Sequence, residues 1–421
     1  MKRLASLLIM LAGPLSGHAA ADSLSLDDAV ARALAATPQL AARSAQLDAA
    51  QALAQSAGRL PDPSALVGID NLPVTGPDAW STTRDFMTMG RIGLMQEFPA
   101  GSKRRAERER AGAVAQLAQA ELVATQLDVA RATASAWIRR AAARDALEAL
   151  GTLEGDYELG ASAARGALRA GKASTVDALE GEAALAKFRS RSLQLEAESR
   201  QAEIELERWI GADAHLPGGA TPSFDELPLP VEELRQSAHL HASLAPFDMR
   251  IEAARDDVEI ARAGRRPDWS VELSYAKRGP DYSDMTSLEF RVGLPLFARN
   301  RQNPQIAARS AELRRAQAER DDELRMHEAE LRQVLVTWEQ AGARLAQYEH
   351  ELLPLARERS RAALAAFRTG SSPLTAALAA FADESELLIE RAALTQERGS
   401  AWAYLRYTQA GQLPSTQEGA R

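Results

Sequence analysis

Polar and apolar positions alternate with period two in two stretches of the second half of this chain. From Ser287 to Leu296, the side chains Leu288, Phe290, Val292, Leu294 and Leu296 alternate with Ser287, Glu289, Arg291 and Gly293. From Trp269 to Tyr275, the residues Trp269, Val271, Leu273 and Tyr275 alternate with Ser270, Glu272 and Ser274. Each pattern describes a strand with one apolar and one charged face. In the first half Phe86, Ile92, Leu94 and Phe98 share a face opposite Asp85, Arg91 and Glu97, with Ala65 to Asp70 as a weaker partner. Four strands are therefore predicted, over about 64–70, 85–98, 269–275 and 287–297. The segments Asn71 to Arg84 and Ala276 to Met285 are rich in Pro, Gly, Asp and Ser and read as exposed loops.

Elsewhere the chain is dominated by strong helix formers. No proline occurs from Lys103 to Leu168, and one helix of that length would extend roughly 100 Å at about 1.5 Å per residue. Gly151 and Gly155 are the expected break points. Comparable runs cover Gln305 to Phe367 and Leu374 to Tyr407, interrupted at Pro354, where a kink or break is expected. Their faces carry many alanines, which lets long antiparallel helices pack closely. An ordinary helical bundle would account for the helices and leave the strands unexplained.

These patterns occur twice. Arg91-Ile92-Gly93-Leu94 returns as Arg291-Val292-Gly293-Leu294, Trp137 as Trp338, and Arg169-Ala170-Gly171 as Arg368-Thr369-Gly370. A tandem duplication of one unit of helix, two strands and very long helices follows.

Composition then fixes the compartment. Lys2 and Arg3, the apolar stretch Leu4 to Leu15 and the small residues Ala19-Ala20-Ala21 form a secretory signal peptide over residues 1–21. Cleavage there leaves 48 basic and 58 acidic residues, a net charge of −10, from the 50 and 58 of the whole chain. Such a balance argues against a nucleic-acid partner. No cysteine is present, which excludes disulfides, cysteine nucleophiles and an N-terminal lipid on cysteine. No other segment has the eighteen or so apolar residues of a membrane-spanning helix.

A strand of about ten residues with an apolar outside and a polar inside is what a transmembrane β-barrel requires. A soluble sheet packed on helices also alternates. If the sheet spans a membrane, four strands cannot close it, because the smallest such barrels have about eight, so two or three chains must share one barrel.

The signal peptide, the doubled order of helix, strands and helices, Asp70-Asn71-Leu72-Pro73, and Met87-Thr88-Met89 running into Gly93-Leu94-Met95-Gln96-Glu97-Phe98-Pro99 together resemble the TolC-like outer-membrane efflux channels, or outer membrane factors. The resemblance spans about Ser25 to Ala410 and is strongest to the subgroup serving cobalt-zinc-cadmium or copper-silver efflux. It implies a mainly α fold with a transmembrane β part: a homotrimer with a twelve-stranded barrel in the outer-membrane lipid above a periplasmic α-helical barrel. It also implies a periplasmic adaptor and a proton-driven inner-membrane pump of the resistance-nodulation-division class as partners, passive conduction, and no cofactor. The units then read as 22–210 and 239–410, with a linker at 211–238 and a tail at 411–421. Channels for drugs or other organic compounds, type I secretion channels and soluble coiled-coil adaptors are the alternatives.

The resemblance also implies roles for single residues. The turns at 168–174 and 367–373 match the family's periplasmic tips, with Arg169, Gly171, Lys172, Arg368, Gly370 and Ser372 as adaptor contacts. Asp177 is the candidate pore-entrance acid, a ring of carboxylates being a route to cation selectivity; its counterpart Ala376 has no charge. Arg91, Glu272, Glu289 and Arg291 are expected to face the lumen. The cations Lys103, Arg104, Arg105, Arg108 and Arg110 either meet lipid head groups or form a solvated helix start. The weak metal candidates are the pairs Met87 with Met89, on one strand face, and His239 with His241; neither supplies the three or four ligands of a stable site.

Two other chemistries are excluded by pattern. Gly166 to Ala173 nearly spells a phosphate-binding loop, but Ala173 stands where Ser or Thr should ligate magnesium, and the segment follows a helix. No His-Glu-x-x-His or Gly-x-Ser-x-Gly motif is present, so no enzyme is expected.

Overall fold

The computed structural model describes residues 23–236 and 241–408. The signal peptide, the tail at 411–421 and His239 lie outside the described residues.

Two short helices open the chain, α1 (Leu26–Ala36) and α2 (Pro38–Ser56). Ser25 caps α1 by accepting the Asp28 N–H at 3.1 Å. Strands β1 (Ser64–Asp70) and β2 (Met89–Phe98) follow, then α3 (Gly101–Arg169) and α4 (Thr175–Ile210). A connecting segment carries a short 3-10 turn at Gly211–His215 and α5 (Val231–Gln236). The second unit repeats the order: α6 (Ala245–Ala263), β3 (Trp269–Lys277), β4 (Met285–Val292), α7 (Gln302–Gln347), α8 (Leu353–Arg368) and α9 (Leu374–Arg406).

Helix α3 runs unbroken for 69 residues. Gly151 and Gly155, the break points that the sequence indicates, lie inside it. A helical glycine costs roughly 1 kcal/mol relative to alanine, and Leu150, Leu153 and Tyr157 are buried on the same stretch, so packing outweighs that cost. Pro354 acts differently. Lacking an N–H, it cannot bond the His350 carbonyl, and the chain passes through a π turn at Tyr348–Leu352 before α8 continues. Gly151 and His350, like Gly155 and Pro354, are 199 positions apart.

The strands form one antiparallel sheet in the order β1-β2-β3-β4, so the two hairpins pair with each other through β2 and β3. Four boundaries differ from the alternation pattern: β3 runs on to Lys277 and β4 begins at Met285, which shortens the loop expected over Ala276 to Met285, and two other strand ends fall short. Strand β2 starts at Met89: β1 ends at Asp70, leaving Phe86 and Met87 without a partner strand. There the Asp85 carboxylate accepts the Met87 N–H at 2.8 Å and the Thr88 hydroxyl donates to the Asn71 carbonyl at 2.9 Å, which makes a turn. Strand β4 ends at Val292 although the alternation continues to Leu296. Val292 faces Trp269, the first residue of β3; beyond it the Gly293 N–H bonds the Asp268 carbonyl at 2.8 Å, and Pro295 has no N–H to pair.

The main core lies where the repeats meet the connecting segment, and includes Leu24, Leu127, Trp137, Leu206, Phe224 and Trp402. The duplication is visible in its hydrogen bonds. The Trp137 indole donates to the Leu24 carbonyl at 3.0 Å and the Trp338 indole to the Phe224 carbonyl at 2.8 Å. A second core nearer the helical turns gathers Tyr157, Phe188, Phe381 and Leu388 from α3, α4 and α9. Close approach is needed at Gly399, where a Cβ would stand 2.8 Å from the Phe224 ring and 2.9 Å from Ile138.

Candidate functional site

Register sorts every strand residue onto one of two faces. On one, Leu94 faces Leu273 and Leu273 faces Leu288, with Ile92 opposite Tyr275 and Val271 opposite Phe290. On the other lie Asp70, Arg91, Glu97, Glu272, Glu289 and Arg291. The exposure is the reverse of a soluble sheet: Glu272 is 6% exposed and its neighbour Leu273 is 55% exposed. Val67, Leu288 and Phe290 are exposed likewise. Phe98 and Trp269 stack at one end of the apolar face, with centroids 4.1 Å apart and planes 11° apart.

Five of the six charges of the polar face, all but Glu97, are joined into a ladder across all four strands. Asp70 pairs with Arg91 at 3.5 Å, and Arg91 with Glu272 at 3.2 Å. Glu272 pairs with Arg291 at 3.5 Å, and Arg291 with Glu289 at 2.8 Å. The four expected lumen-facing residues are thus brought together. Asp70, which sequence reasoning left out, closes the ladder; the parity of β1 carried the signal. Four carboxylates against two guanidinium groups give this face a net charge of −2.

At the far ends of the long helices, two turns share one geometry. Gly171 has φ +69° and Gly370 φ +74°, the left-handed conformation that favours glycine. The Lys172 N–H reaches the Ala167 carbonyl at 2.8 Å, and the Ser371 N–H the Ala366 carbonyl at 2.9 Å. Their exits differ. Ser174 and Asp177 form a capping box: the Ser174 hydroxyl accepts the Asp177 N–H at 3.2 Å and the Asp177 carboxylate accepts the Ser174 N–H at 2.8 Å. The Ser174 N–H, with the Ser174 hydroxyl that also donates to the carboxylate at 2.8 Å, holds the Asp177 carboxyl below the usual carboxylate range. Asp177 is therefore already employed as a cap, while α9 starts behind Pro373 with no side-chain cap. Arg169, Lys172 and Arg368 are exposed, and Ser372 is half-buried.

The basic cluster at the start of α3 is largely spoken for locally. Lys103 pairs with Asp268 at 3.7 Å, Arg110 with Asp257 at 2.5 Å, and Arg108 donates to the Gly58 carbonyl at 3.2 Å.

Neither metal pair assembles a site. Met87 lies in the β1–β2 loop and Met89 in β2, so they do not share a strand face as the sequence suggests. His241 turns inward and meets His327, a residue that no spacing pointed to, with ring centroids 3.7 Å apart. The His241 Nδ1 accepts the Ser243 N–H at 3.1 Å. Burial pushes His241 down to about 3, helped by His327 and Arg131, and lowers His327 as well. Both rings are neutral packing elements. Among the described residues no group of three or more His, Cys, Asp or Glu side chains could hold a metal ion, and no helix is long and apolar enough to cross a membrane.

The family model described as outer membrane efflux protein matches residues 29–212. That match runs from α1 through α4. The chain is similar to outer-membrane efflux channels. A curated relative, the cobalt-zinc-cadmium resistance protein CzcC of Cupriavidus metallidurans, is 28% identical over 314 residues, covering 71% of this chain and 69% of the relative. Among solved structures, the outer-membrane channel OprN matches with a TM-score of 0.78 at 17% identity, over 92% of this chain and 91% of its own. The outer membrane protein VceC of Vibrio cholerae matches with a TM-score of 0.75 at 20% identity, over 91% and 95%. CusC matches with a TM-score of 0.72 at 16% identity, over 90% of each chain. The fold expected from sequence, long helices with a transmembrane β part, agrees with these channels.

Proposed function

We propose that three copies of this channel form a continuous tube that passively conducts heavy-metal cations outward, supplied by a periplasmic adaptor and a proton-driven inner-membrane pump. The observation that carries this reading is the inverted sheet, apolar face outward and charged face inward, with both edge strands unpaired within the described chain. In lipid an open edge is not tolerated, so each β1 and β4 needs a neighbour, and a second copy supplies one.

The helices support the same assembly. On α4, Val176, Leu179, Ala183, Ala186, Leu193 and Ile204 fall on a strict three-and-four spacing and are exposed, the seam of a coiled coil without its partner. Met326, Ala329, Gln333 and Val336 form an exposed stripe of the same spacing on α7. One stripe lies on each outer helix, as a closed ring of identical copies requires.

Cation preference follows from the polar face. With Arg91, Glu272, Glu289 and Arg291 lining the lumen together with Asp70 and Glu97, three copies at −2 each place −6 on the wall, and acidic walls favour cations. The name of the CzcC relative points to cobalt, zinc and cadmium as the class of cargo. The turns at Gly171 and Gly370 are the adaptor-facing ends, with Arg169, Lys172, Arg368 and Ser372 offered to the partner. Asp177 adds three carboxylates one helical turn inside.

Outer-membrane fractions analysed on gels with and without heating test the assembly: a heat-dissociable trimer is expected, and a monomer at all temperatures would overturn it. Growth of a deletion strain with zinc, cobalt, cadmium, copper and silver, compared with hydrophobic drugs, tests the cargo. A phenotype confined to drugs would defeat the metal reading.

A further inference from the structure

The two faces of the sheet use methionine in opposite ways. Six methionines follow residue 22: Met87, Met89, Met95, Met249, Met285 and Met326. Register places Met89, Met95 and Met285 on the charged face. The apolar face, built from Val, Ile, Leu and aromatic side chains, has none. Hydropathy alone would sort methionine the other way, onto the face with Leu94, Leu273 and Phe290.

Two of the three also sit beside carboxylates. Met89 is the register partner of Asp70, and Met95 of Glu272; side chains directly opposite on one face have Cβ atoms about 5 Å apart. Arg291 ties Met95 to the ladder, its Nη1 lying 3.8 Å from the Met95 sulfur and its Nη2 3.5 Å from Glu272. Met285 stands opposite Ala276, whose other neighbour is Arg91, which leaves room around its thioether.

We infer that Met89, Met95 and Met285 form a line of weak thioether stations for soft, thiophilic cations along the charged face of the sheet. This assignment rests on the reading of that face as the lumen. A thioether is a soft, neutral, polarisable donor, so it selects soft ions without adding charge that would trap them. The adjacent carboxylates supply the attraction, and the sulfur supplies the discrimination. Single thioethers spaced along the strands, with no convergent cluster, suit an ion that must leave as readily as it enters.

Full-length channel in planar bilayers, in nitrate electrolyte with silver ion as the probe, tests this. Silver is expected to lower the potassium conductance. Replacing the three sulfurs in M89L/M95L/M285L keeps volume and apolarity and is expected to raise the half-blocking silver concentration by about tenfold or more, equal to about 1.4 kcal/mol, with conductance in silver-free electrolyte unchanged. L66M adds a thioether to the same face and should lower the half-blocking concentration, whereas L94M, on the opposite face, should leave it alone. An unchanged silver response in the triple variant, or equal effects of L66M and L94M, would overturn the assignment. A native protein that opens no potassium pore would instead remove the lumen reading beneath it.

Discussion

Leu273 is the fifth of the nine residues of β3 and is 55% exposed, with Leu94 and Leu288 on either side in register. Nine residues at about 3.3 Å each extend about 30 Å, and a tilt near 40° reduces this to about 23 Å, close to the apolar band of roughly 25 Å on outer-membrane barrels. In the proposed barrel Leu273 is then at mid-depth in lipid. An arginine there costs roughly 2–4 kcal/mol per copy, or roughly 6–12 kcal/mol for three. On a sheet facing water the same change would move stability by no more than about 0.5 kcal/mol. The control is S287R, because Ser287 is exposed on the charged face. Both variants are produced with their signal peptide, and folded trimer in the outer membrane is measured by heat modifiability and by urea titration in lipid. L273R should give little or no trimer and S287R a near-native amount. Equal trimer yields for the two would refute the assignment of faces.

Three further outcomes are expected. G171A and G370A each place a Cβ at positive φ, costing about 1 kcal/mol, and protease nicking of the purified channel should increase at the substituted turn only. G399A forces a methyl group against Phe224 and Ile138 and should destabilise by about 1–3 kcal/mol, read as a lower thermal midpoint. The His241–His327 pair gives a pH dependence of known sign: a histidine depressed from 6.5 to about 3 binds fewer protons folded than unfolded, so its stability contribution is complete above pH 6.5 and is lost as pH falls toward 3. Arg131, Glu330 and Tyr404 also face this pair; the thermal midpoint of H241F should fall less steeply over that interval than that of the native chain.

Period-two alternation made the sheet legible, because one face of each strand is uniform in chemistry: Leu273 and Glu272 differ in character as sharply as in exposure. It could not mark the ends of the strands. Phe86 and Leu294 keep the alternation yet lie outside the sheet, since a strand lasts only as long as its neighbour does, and that length is set by residues far away in sequence. The glycine turns were legible for a local reason, the positive φ at Gly171 and Gly370. The ion-pair ladder was half legible. Arg91, Glu272, Glu289 and Arg291 follow from parity, and Arg291 with Glu289 from their spacing in one strand, whereas the pairs of Glu272 with Arg91 and Arg291 depend on the register between strands. The meeting of His241 with His327 had no signal at all, because the two residues are 86 positions apart and are brought together by the packing of the turn before α6 against α7.

Gly155 precedes the turn at Gly171 by 16 residues, and Pro354 precedes Gly370 by the same 16. One half meets that height with glycines and the other with a π turn and a proline, two unrelated ways of lowering the bending stiffness of a helix. A long rod softened at one height behaves mechanically as a stiff upper shaft and a shorter lower lever of fixed length. Each protomer would carry two such levers of equal reach, so a load applied at the turns would be taken up at a common level and not distributed along the shaft.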